Sequence, residues 1–145
     1  MSLSDWLEQG WLVKRRPDRR EIRELLGIAD RGINDAQAKG ISTDTRLILA
    51  YNAALQLAIA ALAATGYRVL HEAHHYRAIQ SLAFTINASA DLVDQLDSFR
   101  KKRNISDYER AGTVSEHEAE EMLICAKALR ETVIVWLKTN HTELV

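Results

Sequence analysis

Proline, glycine and aromatic residues are scarce in this chain. Its 145 residues include one proline, Pro17, and six glycines, and aromatic residues make up 6% of the total. Sheet-rich proteins need many turns, and proline and glycine supply most of the special turn positions. A β-sandwich or β-barrel is therefore excluded, and a composition of 47% hydrophobic and 27% charged residues excludes a disordered chain. We expect an all-α protein.

Cysteine and net charge are also low. Cys125 is the only cysteine, so no intrachain disulfide can form, which is typical of a reducing cytoplasm. The chain shows no basic segment followed by an apolar core, so we expect no signal peptide and a cytoplasmic protein. A formal net charge of −1 excludes a global field that would attract nucleic acid. The charge is uneven, however, because KRRPDRREIR (Lys14–Arg23) and RKKR (Arg100–Arg103) are basic and SEHEAEE (Ser115–Glu121) is acidic.

Apolar residues recur at helical spacing through most of the chain. We expect an up-and-down bundle of about five to six helices that forms one domain over residues 1–145. Pro17 bends the chain after a short N-terminal arm, residues 1–17. The predicted helices begin near Ser4, Asp18, Ser42, Glu72, Ser89 and Ser115; the first ends at Gly10 or Val13, the second at Gly40, the third at Gly66 and the fifth in RKKRN, Arg100–Asn104.

The predicted third helix has the length of a membrane span. The stretch Leu47–Tyr67 contains no charged residue and is long enough to cross a bilayer. Asn52 and Gln56 lie one turn apart near its centre, where amides without partners in lipid cost several kcal/mol. We therefore expect a central helix buried on most sides and no membrane partner. The two amides then bond to neighbouring helices or line a polar slot. We expect Cys125 to be a small core residue.

Three histidines occur together in His71-Glu72-Ala73-His74-His75, which fits the His-Glu-x-x-His pattern of zinc proteases. That chemistry needs two imidazoles one helical turn apart on zinc and a glutamate that activates a water molecule. It also needs a third ligand and a strand that aligns the substrate, and the sequence offers neither at the required spacing. We expect no metal and no cofactor, and histidines that are solvated or hydrogen-bonded at the start of a helix.

The segment RKKRNISDYER, Arg100–Arg110, supports two interpretations. Four adjacent cations can hold phosphate, and arginine can do so through two parallel hydrogen bonds. Alternatively, the cations are solvated and complement the dipole at the C-terminal end of a helix. The second basic run, Lys14–Arg23, presents the same choice. If the two runs meet on one face, their combined field could attract RNA despite the nearly neutral chain.

The chain resembles the HEPN superfamily of helical domains from prokaryotic toxin–antitoxin and defence systems. The resemblance covers roughly residues 44–137 and rests on an Ala/Leu-rich helix, the His-His-Tyr-Arg run at 74–77, Arg103-Asn104 and a long final helix. It implies a homodimer whose groove holds an arginine–polar–histidine motif and cleaves RNA without metal. Arg103 matches the motif arginine and Asn104 the polar residue, whereas Tyr108 stands where the histidine is expected. A tyrosine, with a pKa near ~10, is a poor general base at neutral pH.

The leading hypothesis is a homodimeric HEPN-like domain that binds RNA or a nucleotide-handling partner, with ribonuclease activity left open. Arg103, Asn104 and Tyr108 are the candidate motif positions, and Arg100, Lys101, Lys102 and Arg103 are the candidate nucleic-acid contacts. The alternative is a protein-interaction module, an antitoxin-like partner of a nucleotidyltransferase with no nucleic-acid contact. Its docking surface would be an apolar stripe of the first helix, Trp6, Leu7, Trp11 and Leu12.

Overall fold

Six α-helices and one two-stranded sheet make up the described part of the chain. The computed structural model describes residues 1–70, 73–108 and 114–145, with the backbone alone for residues 105–108. The all-α prediction and the buried central helix are confirmed. The elements are α1 (Leu3–Glu8), β1 (Leu12–Lys14), α2 (Arg19–Asp35), α3 (Thr43–Thr65), β2 (Tyr67–Val69), α4 (His74–Thr85), α5 (Ala90–Tyr108) and α6 (Glu116–Asn140), followed by a 3₁₀ turn (Thr142–Leu144).

Side-chain caps fix the start of four long helices. Asp18, Ser42, Ser89 and Ser115 each accept a hydrogen bond from a backbone N–H in the first turn of α2, α3, α5 and α6, as predicted. The predicted cap of α1 is wrong, because Ser2 and not Ser4 closes a reciprocal capping box there. Local hydrogen bonding by short polar side chains thus determines these starts.

The predicted ends of α1 and α2 are wrong, because both helices stop before the glycine that was expected to end them. α1 ends at Glu8, two residues before Gly10, which adopts a left-handed φ of 79°. α2 ends at Asp35, so Gly40, with φ of 84°, lies in the loop beyond it. The predicted end of α3 is confirmed, because Gly66 takes the left-handed C-cap conformation with φ of 99°.

The core forms around α3, which packs against α2, α4, α5 and α6. Its buried side chains are mostly alanine and leucine, and the small alanines let neighbouring helices approach closely. A Cβ atom placed on Gly32 of α2 would lie 3.2 Å from the Cβ of Ala53 and 3.2 Å from the carbonyl oxygen of Leu49. In the described part of the chain, α3 is the one helix with the length and apolarity of a membrane span, and 67% of its apolar window is buried in the bundle.

A small sheet, absent from the sequence prediction, joins the N-terminal arm to the end of α3. β1 and β2 pair antiparallel, with Leu12 opposite Val69 and Lys14 opposite Tyr67. The left-handed turn at Gly66 reverses the chain after α3 and brings β2 alongside the arm. Strands of three residues are too short to show an alternating pattern, which explains the missed prediction.

The N-terminal arm is part of the core. Trp6 and Leu12 are buried, and the Trp6 ring meets Phe84 of α4 edge-on at 5.3 Å between centroids. The guanidinium carbon of Arg77, also on α4, lies 4.4 Å from the centre of the Trp11 ring, a cation–π contact. The apolar stripe proposed for partner docking therefore packs largely within the protein itself.

Candidate nucleic-acid interface

The basic run Arg100–Arg103 lies inside α5 and not at its end. α5 continues to Tyr108, so the prediction that this helix ends in RKKRN is wrong. The macrodipole acts mainly within the last turn of a helix, and the last turn of α5 contains no basic residue. The helix-end interpretation of these cations therefore fails. The predicted loop around Gly112 lies outside the described residues.

Two carboxylates form ion pairs with three of the four basic residues of the run. The Arg100 Nε lies 2.7 Å from Asp97 Oδ1, and the Lys101 Nζ lies 3.5 Å from Asp97 Oδ2. The Lys102 Nζ lies 3.3 Å from Glu118 Oε2, which ties α5 to the first turn of α6. The hydrogen bond from the Ser115 backbone N–H, at the N-cap of α6, lowers the pKa of Glu118, and the hydrogen bond from Lys102 lowers it further. Burial acts in the opposite direction and raises it. These pairs fix α5 relative to its neighbours.

Arg100 and Arg103 are one helical turn apart and lie on the same side of α5. Both are half-buried, whereas the side chain of Lys101 is 67% exposed. The charges of both arginines act on Tyr51 of α3 and on His75 of α4. We call these four residues the arginine–histidine cluster. The basic run thus contains an exposed lysine and a half-buried pair of arginines, and the Arg100 guanidinium carbon lies 5.4 Å from the centre of the Tyr76 ring.

Tyr51 is the innermost member of the cluster. The residue is 0% exposed, and its hydroxyl has no hydrogen-bond partner among the described residues. Burial raises the pKa of Tyr51 far above its usual range; Arg100 and Arg103 lower it and Asp97 raises it, with smaller effects. The hydroxyl therefore stays protonated. A buried polar group without a partner is unusual in a folded protein.

His75 lies in the first turn of α4 and forms the outer edge of the cluster. Its ring centroid is 6.1 Å from that of Tyr51 and 5.2 Å from that of His74. Burial, followed by the charges of His74, Arg103 and Arg100, lowers the pKa of His75 from its ordinary value of 6.5. The imidazole is therefore neutral at pH 7. It is only half-buried, so a ligand can reach it.

The structure brings together some of the predicted motif residues and leaves others apart. Arg100 and Arg103 face the cluster, Asn104 follows Arg103 and is half-buried, and Lys101 faces solvent. The side chain of Tyr108 lies outside the described residues. Sequence reasoning missed Tyr51, which resembles an ordinary core residue in an apolar helix. It placed His75 in the zinc pattern and in the His-His-Tyr-Arg run, and gave it no role beside Arg100 and Arg103.

Only the last three residues of the zinc pattern, 73–75, belong to the described part of the chain. His71 and Glu72 lie outside the described part, and with them the predicted start of α4; the described helix begins at His74. Within residues 1–70, 73–108 and 114–145, no three metal-binding side chains form a group. His75 instead packs beside Tyr51 and His74. The described contacts give its imidazole a place in the arginine–histidine cluster.

Asn52 and Gln56 lie on the partly exposed stripe of α3. Both are half-buried, together with Ile59 one turn further along the same face. Neither amide has a hydrogen-bond partner in the described part of the chain, so the predicted bonds to neighbouring helices are wrong there. The reason is that each amide keeps contact with solvent and needs no protein partner.

Cys125 is buried at 7% exposure, as predicted for a core residue. Its thiol lies between α5 and α6, with its Sγ 4.0 Å from Gln95 Oε1. Burial raises the pKa of the Cys125 thiol to about 11, so the thiolate is scarce at neutral pH. This cysteine is therefore a weak nucleophile.

The second basic run is exposed and lies on a different flank of α3. Arg15 and Arg68 both approach Glu21, at 3.1 Å and 3.9 Å, near the β1–β2 pair. α2 packs chiefly on α3 and α6, while α5 packs on α3 and α4. The two basic runs therefore lie next to different helices.

Comparison with known proteins identifies no family for this chain. No protein-family model and no curated protein matches this chain. The fold and the arginine–histidine cluster carry the functional argument.

Proposed function

We propose that this protein is a HEPN-like, homodimeric helical domain that binds RNA through the basic run of α5. The helical bundle with its buried α3, and Arg103-Asn104 on a long helix beside α3 and α4, support the proposal. Tyr108 stands where the motif histidine is expected, and a tyrosine is a poor general base at neutral pH. The proposal therefore concerns RNA binding.

The observation that carries it is the half-buried pair of arginines. The charges of Arg100 and Arg103 act on Tyr51 and His75, two groups that are neutral at pH 7. Asp97 is shared between Arg100 and Lys101. A phosphate group matches the fork of a guanidinium group and can accept two parallel hydrogen bonds from it. Partly buried charges are also screened less by salt than exposed ones.

The test is fluorescence anisotropy with a labelled single-stranded RNA in EDTA. We expect Arg103→Ala to abolish binding at moderate salt and to leave Tm nearly unchanged. Lys101→Gln should weaken binding modestly and flatten the salt dependence, by about 0.7 in the slope of log K against log[salt] for a lost phosphate contact. Arg19→Gln, an exposed cation on α2, is the control and should bind like wild type. Equal binding by wild type and Arg103→Ala at low salt would contradict the proposal.

The homodimer is a separate part of the proposal. Two copies would bring both Arg103 side chains to one groove, so that a single RNA strand meets both basic runs. Sedimentation equilibrium of the full chain should give twice the mass of 16.4 kDa. A monomer at concentrations that saturate RNA binding would contradict this part alone.

One observation favours the alternative, a protein-interaction module that partners a nucleotidyltransferase. On α6, Ile124 is 58% exposed and Val135 is 60% exposed. Ile124 borders a groove of about 300 Å³ between α5 and α6, whose floor includes Leu92 and Leu129. Exposed apolar residues beside a groove are typical of a docking surface. Ile124→Asp should abolish binding of a purified nucleotidyltransferase partner in a pull-down, and RNA binding that survives the change would separate the two functions.

A further inference from the structure

We infer that the protein selects single-stranded RNA by stacking an unpaired base on Tyr76, which lies on the solvent face of α4 beside the basic run of α5. This inference rests on the proposed RNA binding and names the class of RNA that is bound. Phosphate contacts position a nucleic acid whether its bases are paired or not. A base that stacks on a side chain, by contrast, must first leave its neighbours in the strand.

Two aromatic rings are exposed on one side of α4. Tyr76, Gln80 and Phe84 follow one another at four-residue spacing, so their side chains share one face of this helix. Tyr76 is 42% exposed, Phe84 is 38% exposed and Gln80 is half-buried. We call these three residues the stacking face. Accessible aromatic rings are the side chains on which the bases of single strands stack.

Arg100 joins the stacking face to the basic run. Its guanidinium carbon lies 5.4 Å from the centre of the Tyr76 ring, a cation–π contact. The Arg100 Nε also donates a hydrogen bond of 2.7 Å to Asp97 Oδ1, which holds the guanidinium group in place beside the ring. Lys101, the next residue of α5, is 67% exposed and offers a cation to a phosphate. One strand can therefore place a base on Tyr76 and a phosphate on the basic run.

The Tyr76 ring is positioned before RNA binds. A tyrosine side chain has two rotatable χ angles, so ordering it on a ligand costs little conformational entropy, and the contact with Arg100 reduces that cost further. Phe84 lies about 12 Å further along α4 and packs edge-on against Trp6, so it offers a second ordered ring to the same strand. Every base has a π-face, and stacking of this kind tolerates any sequence. We therefore expect selection for unpaired RNA with little sequence preference.

The experiment measures binding by fluorescence anisotropy with the full-length protein in EDTA. Three labelled probes of equal length are used: a single-stranded RNA, the blunt-ended duplex of the same sequence, and a strand in which every nucleotide is abasic. Wild type should bind the single strand more tightly than either of the other probes. Tyr76→Ala should raise the Kd for the single strand about 10- to 100-fold and leave the Kd for the abasic strand nearly unchanged. Tyr76→Phe keeps the ring and should bind the single strand like wild type.

Two controls separate stacking from other effects of the substitution. Ile28→Ala is matched in exposure, because Ile28 of α2 is 43% exposed, and it should bind the single strand like wild type. The slope of log K against log[salt] should be the same for Tyr76→Ala and wild type, because no phosphate contact is lost. A slope reduced as much as in Lys101→Gln would show that Tyr76 acts through the cations of the basic run, and the stacking proposal would then be wrong.

The comparison of the three probes on wild type needs no variant, so the proposal stays falsifiable if Tyr76→Ala folds poorly. Wild type that binds the duplex or the abasic strand as tightly as the single strand overturns this proposal alone. Tyr76→Ala that binds the single strand like wild type does the same. Wild type that binds none of the three probes overturns the proposed function as well.

Discussion

Replacing Tyr51 with phenylalanine should make the free protein more stable. The substitution removes one oxygen atom and keeps the ring that packs beside His75. The Tyr51 hydroxyl is fully buried and has no hydrogen-bond partner among the described residues. Folding therefore removes this hydroxyl from water without a compensating bond, and phenylalanine avoids that loss.

The size of the effect follows from the cost of an unpartnered hydroxyl, about 1–3 kcal/mol. The void left by one oxygen atom reduces the gain slightly, so we expect the lower half of this range. For a chain of 145 residues, each kcal/mol raises Tm by about 2–4 °C. Tyr51→Phe should thus raise Tm by several degrees and the urea midpoint in proportion.

Urea and thermal unfolding followed by circular dichroism provide the measurement. Tyr67→Phe is the matched control, because Tyr67 is only half-buried and its change should stay below about 0.5 kcal/mol. A Tyr51→Phe protein less stable than wild type would show that the hydroxyl has a stabilising partner, and the reasoning about its burial would then be refuted.

Three further predictions test the core and the titrating groups. Gly32→Leu should destabilise the protein by roughly 1–3 kcal/mol, because the added side chain overpacks against α3. Gly27→Leu is the control: its Cβ would meet only Arg31 Nη1, at 3.6 Å, so the change should stabilise α2 by roughly 0.5–1 kcal/mol. Equal unfolding midpoints for the two variants would contradict the close approach of α2 and α3. The Cys125 thiol should react with a disulfide reagent at pH 8 far more slowly in the native protein than in urea; equal rates would contradict its burial. The pKa of His75 is lower in the folded state, so the unfolded chain takes up the proton first as pH falls. The free energy of unfolding should therefore decrease as pH drops below about 6.5. A difference in unfolding free energy between wild type and His75→Gln that does not change with pH would contradict the shift.

The helices were predictable wherever their signals were local. Ser42 and Gly66 mark both ends of α3, and Ser115 marks the start of α6, because a capping side chain or a left-handed glycine acts within a few residues. The end of α5 was missed for the opposite reason. Four adjacent cations resemble a helix terminus in sequence, but the helix continues past them.

The candidate site was only half predictable. Arg100 and Arg103 stand out as part of a charged run, whereas Tyr51 is separated from them by about fifty residues and lies among apolar neighbours. Only the packing of α3, α4 and α5 brings together the helices that carry these residues. The zinc pattern drew attention to His75 for a chemistry that its described surroundings do not display.

The pairing of β1 with β2 has a consequence for how the chain is made. Leu12 pairs with Val69, so the arm leaves the ribosome well before its partner strand has been synthesised. At about 5–20 residues per second the delay is roughly 3–11 seconds. Throughout that time Trp6 and Leu12 lack their final contacts and form an apolar segment open to chaperones. The arm is thus translated before the helices it packs against and is among the last segments to reach its final contacts.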